Sequence, residues 1–137
     1  MTFEIINPAE LGAPRGWNNG MLAPAGGRLL FVAGQTAHDG SGGSLPESFV
    51  DQFEAALGNL LAVVRQAGGA PEHIGRLTIY VADIDAYRDN LKSLGVAYRR
   101  QMGRHFPAMA LVAVKNLVDP KAQVEIEATA VLPAESF

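Results

Sequence analysis

The chain has 137 residues, 48% hydrophobic and 18% charged, with a formal net charge of −3. That length supports one hydrophobic core, so the sequence reads as a single domain spanning 1–137. Its acidic balance excludes the basic footprint of a phosphate-backbone binder, and the absence of cysteine removes disulfides, thiolate chemistry and the common zinc and iron–sulfur ligand sets.

Thr2–Asn7 reads as a short strand, and Met1–Glu10 contains acids and lacks the apolar stretch expected of a secretory signal. Pro8–Gly20 is irregular. Met21–Pro24 and Arg28–Ala33 flank Ala25-Gly26-Gly27 and predict a hairpin. Gly34–Gly43 is a glycine-rich loop. In the first helix Ser44 is the expected cap, Glu47 completes a capping box, and Pro46 sits in the first turn. Phe49, Phe53, Ala56, Leu57, Leu60, Leu61 and Val64 recur at helical spacing, and Gly68-Gly69 end the run. Pro71–Gly75 leads into a strand, Leu77–Val81. A second helix is predicted from Asp85 to Met102, with Tyr87, Leu91, Leu94 and Tyr98 on one stripe. Gly95 inside it costs about 1 kcal/mol relative to alanine. Two strands follow, Met109–Leu117 and Ala122–Leu132, joined by a turn at Asp119-Pro120. No apolar run has the length of a membrane span, and the cytoplasm is the expected location.

In Ala122–Leu132, Val124, Ile126, Ala128, Ala130 and Leu132 alternate with Gln123, Glu125, Glu127 and Thr129, the mark of a half-buried strand. Met109–Val114 is apolar on both faces, which reads as a central strand. Two helices cover one face of such a sheet, and a second subunit is the simplest cover for the other. Patterning alone therefore predicts a homo-oligomer.

Phe106-Pro107-Ala108, the apolar strand after it and Val124-Glu125-Ile126-Glu127-Ala128 resemble the closing signature of the Rid/YjgF (reactive intermediate deaminase) family. Phe31-Val32-Ala33-Gly34-Gln35 is similar to the family's Ser-Gly-Gln turn, with Ala33 in place of serine. Thr78–Asp83 with Tyr87 resembles its middle strand and second helix start. The resemblance covers nearly the whole chain. It implies an α+β, chorismate-mutase-like (YjgF-like) mixed sheet with two helices packed on one face, in the order ββαβαββ with a short N-terminal strand. It also implies a homotrimer with small-molecule clefts between subunits, and hydrolysis of imines and enamines to ammonia and a 2-keto acid without metal or cofactor.

By the same resemblance, Glu125 handles the hydrolytic water, the Gly34 N–H and Gln35 meet the substrate, and Trp17 lines the cleft. The decisive departure is Met109, which stands where the family has an arginine that grips the substrate carboxylate. A guanidinium makes two parallel charged hydrogen bonds there, whereas methionine offers an adaptable apolar surface. Losing such a pair in a desolvated site costs about 2–5 kcal/mol. Arg104 and His105 are the candidates for a compensating charge, with interaction at a helix end as the plainer alternative. Core packing is the plainer reading for Trp17, turn hydrogen bonding for Asn18 and Asn19, a structural role for Glu127, and a solvated position on the surface for His38 and His73.

Three functions follow for comparison. The first is a cofactor-independent hydrolase or deaminase of imine- or enamine-like metabolites that handles 2-imino acids inefficiently. The second is a non-catalytic small-molecule-binding trimer. The third, an endoribonuclease or translation inhibitor, fits the acidic charge balance poorly.

Overall fold

The apolar stripe of the first helix, α1 (Phe49–Gln66), is buried along its whole length in the computed structural model, which describes residues 3–135. The helix starts later than the expected Ser44 cap. Ser48 is the N-cap, and its hydroxyl accepts from the Asp51 N–H at 3.0 Å. Pro46 favours extended backbone in the residue before it, and Ser48-x-x-Asp51 supplies the cap nearer the stripe. Gln52, only 2% exposed, sits inside the stripe with its amide satisfied. Its Nε2 donates to the carbonyls of Pro46 and Lys121 at 2.8 and 3.1 Å, and its Oε1 accepts from Gln123 N at 2.8 Å. Gly68 ends the helical run at φ +91°, which favours glycine.

The strands are β1 (Glu4–Ile6), β2 (Gly20–Leu22), β3 (Arg28–Gln35), β4 (Ile74–Val81), β5 (Ala108–Ala113) and β6 (Val124–Leu132). The main sheet has the order β3-β6-β4-β5, antiparallel at both sides of β6 and parallel between β4 and β5. The fold is thus α+β with a mixed sheet. The core lies between its inner face and the helices α1 and α3 (Leu91–Met102). Val124, Ile126, Ala128 and Ala130 of β6 are buried there, as their alternation predicts, while Glu125, Glu127 and Thr129 face the other way.

Five further expectations are corrected. The predicted hairpin between Met21–Pro24 and Arg28–Ala33 does not form. β2 pairs instead with β1, Ile6 opposite Gly20, and Asn7 braces that pair through hydrogen bonds to Asn18 and Asn19. β3 pairs along its length with β6, from Arg28–Leu132 to Gln35–Ile126, so the expected loop at Gly34 begins two residues later. The apolar strand β5 is at the sheet edge rather than its centre. The second helix is broken into α2 (Ile84–Arg88) and α3, because Asn90 Nδ2 donates to the Ala86 carbonyl at 2.7 Å and competes with continued helix. The closing strands are also shorter than expected. Thr2 lies outside the described residues.

Candidate functional site

β3 leaves regular pairing near its end. Val32 pairs with Ala128 and Gln35 with Ile126, so Ala33 and Gly34 together oppose one β6 residue, a β-bulge. The bulge carries the Gly34 backbone against the side chain of Glu125. A Cβ on Gly34 would lie 2.9 Å from both the carboxyl carbon and Oε1 of Glu125. Glycine is needed here for close approach, since its φ is not in the left-handed region.

The loop after β3 is tied to α1. Asn59 Nδ2 donates to the carbonyls of Thr36 and His38 at 2.9 and 2.7 Å. His38 Nε2 is 2.8 Å from Gln35 Oε1, so the Gln35 side chain is engaged with its own loop. Asp39 accepts from the hydroxyl and N–H of Ser41, and those bonds hold its carboxyl below the usual range. Beside Glu125 on the same sheet face, the Tyr80 hydroxyl donates to Glu127 Oε2 at 3.2 Å. Desolvation, that bond and the charges of Glu127 and Glu125 push the Tyr80 phenol up. Glu127 is therefore engaged as a structural acceptor.

On the helix side of the sheet lies a cavity of about 510 Å³, lined by Trp17, Tyr87, Phe106, Met109 and Leu111 among others. Phe106 stacks on Tyr98, with centroids 5.4 Å apart and planes 10° apart, a favourable offset for aromatic faces. The Tyr98 hydroxyl donates to the His105 carbonyl at 2.6 Å, and burial pushes that phenol strongly up. Trp17 is 43% exposed, and its Nε1 donates to Asn19 Oδ1 at 3.3 Å. Asn18 holds the loop in place, donating from Nδ2 to the Phe106 carbonyl at 2.6 Å and from its backbone to the Pro107 carbonyl at 3.3 Å. Asn18 and Asn19 thus do turn and loop work.

The expected site residues fall into two groups. Gly34, Gln35 and Glu125 lie together at the bulge. Trp17 and Met109 line the cavity. Met109 pairs with Leu77, which pairs with Ala128 of the core, whereas Glu125 pairs with Tyr80. Paired residues share a sheet face, so within one chain Met109 and Glu125 project from opposite faces. Arg104 and His105 line no part of the cavity, and His105 Nε2 donates to the Ile74 carbonyl at 2.7 Å. Two other cations do line it, Arg15 and Arg99. Among the described residues no three of His, Asp and Glu converge as a metal-ligand set.

A family model described as Endoribonuclease L-PSP matches residues 9–132. The chain belongs to the Rid/YjgF family. This Rid-family chain is 34% identical to a RutC family protein of Synechocystis, covering 97% of this chain and 99% of the relative. It is 31% identical to a 2-iminobutanoate/2-iminopropanoate deaminase of Capra hircus, over 76% of this chain and 73% of that one. A solved Rid-family protein of unknown function from Yersinia pestis superposes with a TM-score of 0.83 at 30% identity, covering 96% of this chain and all of that one.

Sequence reasoning missed Arg15, Arg99 and Gln52. A signal for Arg99 was present, because Gly95 precedes it by one helical turn. In Gln52 the signal was a polar residue at helical spacing among Phe49, Phe53 and Ala56.

Proposed function

We propose that this Rid-family chain is a cofactor-independent hydrolase of imine- or enamine-type small metabolites, working in the cytoplasm as a homotrimer with ligand clefts between subunits. The contact of Gly34 with Glu125 carries this reading. It puts a carboxylate beside backbone at a bulge, where a bound C=N group can meet a proton acceptor and a polarising N–H together. In the reaction, water adds its oxygen to the C=N carbon while Glu125 takes a water proton and passes it to nitrogen. The hydroxyl proton of the resulting carbinolamine then passes by way of Glu125 to nitrogen, and the C–N bond breaks to give a carbonyl compound and ammonia.

The subunit arrangement is supported by the placement of the two residue groups on opposite sheet faces, since a ligand touching both must bridge two chains. The outer face also carries exposed Leu29 and Phe31, the latter 76% exposed, and Val112 of the edge strand β5. Such apolar surface is stabilised by burial against another subunit. Met109 provides no charge to grip a carboxylate, so small 2-imino acids that depend on such a grip are poor substrates.

The test compares wild type with Glu125→Gln for ammonia release on imines with and without a carboxylate. Release by wild type that is lost in the variant supports the hydrolase. Equal release by both proteins overturns the role of Glu125. No release from any substrate, with ligand still bound, favours the second reading, a non-catalytic binder, which Met109 itself favours. The endoribonuclease named in the family model's description fits this chain less well, because its net charge is −3 and the outer face presents Glu125 and Glu127.

A further inference from the structure

Arg99 and its neighbour Arg100 behave differently. Arg100 reaches across to α1 and pairs with Glu54 at 3.1 Å. Arg99 lines the cavity, and among the described residues it has no carboxylate partner within ion-pair distance and no hydrogen bond from its guanidinium. Helical side chains lean toward the N-terminus, over the residue four positions earlier. For Arg99 that residue is Gly95. A Cβ on Gly95 would lie 3.2 Å from Arg99 Nη1 and 3.9 Å from Cζ, so the guanidinium rests over bare backbone. The glycine that weakens α3 also makes the bed for this cation. Arg15, from the loop that carries Trp17, lines the same cavity and likewise has no ion-pair partner among the described residues.

Besides these arginines the lining is largely apolar and aromatic, including Trp17, Tyr87, Phe106, Met109 and Leu111. The volume, about 510 Å³, lies within the range of small-molecule sites. Charge without a counterion beside an apolar hollow suits a ligand with an anionic end and a greasy body.

We infer that Arg99, assisted by Arg15, anchors an organic carboxylate in this cavity, and that Met109 forms part of the surface receiving its apolar or aromatic side chain. The cation serving the site thus comes from α3 rather than β5, which selects against short acids and for bulky ones. This deepens the proposed function by naming the substrate class, and it rests on that reading only for the chemistry that follows binding.

Trp17, the sole tryptophan, makes occupancy readable without turnover. The probe is 3-phenylpropionate, titrated while intrinsic fluorescence is recorded, with 3-phenylpropionamide and propionate as comparisons. Saturable binding is expected for 3-phenylpropionate, with affinity weaker by roughly tenfold or more for the amide and for propionate. Arg99→Gln lowers the affinity for 3-phenylpropionate by a similar factor, and the Arg15→Gln, Arg99→Gln double variant lowers it further. Gly95→Ala lowers it as well, though alanine favours helix, because the new methyl displaces the guanidinium. Thermal melts of each variant establish that it is folded. No saturable binding by wild type, or equal affinity for acid and amide, or an Arg99→Gln variant that binds as wild type does, overturns the inference. The Glu125→Gln ammonia assay is independent: loss of release there with undiminished binding in Arg99→Gln sinks this inference alone, whereas charge-dependent binding with no release from wild type sinks the hydrolase alone.

Discussion

The missing side chain of Gly34 and the carboxylate of Glu125 compete for the same space, 2.9 Å from a hypothetical Cβ to the carboxyl carbon. Gly34→Ala is therefore expected to turn the Glu125 side chain away while leaving the strand paired. Because the displaced group is the end of a flexible chain, stability should change by less than about 1 kcal/mol. Ammonia release should fall by roughly tenfold or more. Parallel melts and assays check both halves. A variant as active as wild type removes the reason for a glycine at this bulge.

Tyr98 predicts an alkaline weakness. Its phenol is pushed up by burial in the folded chain, while the unfolded chain has the ordinary value near 10. The unfolded state releases that proton first, so the stabilisation is complete below about pH 10 and is lost as pH rises above it. Wild type should lose unfolding free energy between about pH 10 and 12 more steeply than Tyr98→Phe. At neutral pH the phenylalanine variant should be less stable by about 1 kcal/mol through loss of the bond to the His105 carbonyl. Parallel pH profiles from urea titrations would remove Tyr98 as the source.

Gln52→Leu should destabilise by about 2–3 kcal/mol, because it leaves the Pro46 and Lys121 carbonyls and the Gln123 N–H without their partner. Chemical denaturation measures this directly. A change near zero would mean that those groups find solvent easily.

Phe31→Asp with Leu29→Lys places charges on the exposed sheet face. Sedimentation should show the proposed trimer giving way to monomer, with helical content retained. An unchanged assembly locates the interface elsewhere.

Met109→Arg should increase affinity for pyruvate by roughly tenfold, read by Trp17 fluorescence. No increase would show that position 109 does not reach the carboxylate of a short acid.

Much of this architecture is written in local patterns. The stripe from Phe49 to Val64 needs a buried helix, and the alternation from Val124 to Leu132 needs a two-faced strand. Both form as those patterns require. The partners of elements are less legible. The Gly26-Gly27 turn announces a reversal without saying which strand lies alongside β2, and β1 does so through Asn7. An apolar strand such as β5 reads the same at a sheet's centre or at an edge awaiting a neighbour. At the candidate site, Glu125, Gly34, Trp17 and Met109 were nameable from the sequence. That Met109 and Glu125 project from opposite faces follows only from the Leu77 and Tyr80 registers. That Arg15 and Arg99 face the cavity depends on how a loop and a helix fold, and only Arg99 carries a local signal for it, Gly95 one turn earlier.

The position of β6 has a kinetic consequence. Val124–Leu132 fills the gap between β3 and β4, so every antiparallel pairing in the main sheet awaits the last strand of the described chain. A nascent chain lacking those residues has β3 without its only partner and β4 paired on one side, leaving apolar faces open to other molecules. Assembly during synthesis must therefore hold its cooperative step until Val124–Leu132 clears the ribosome, and truncations before Val124 should accumulate as aggregates.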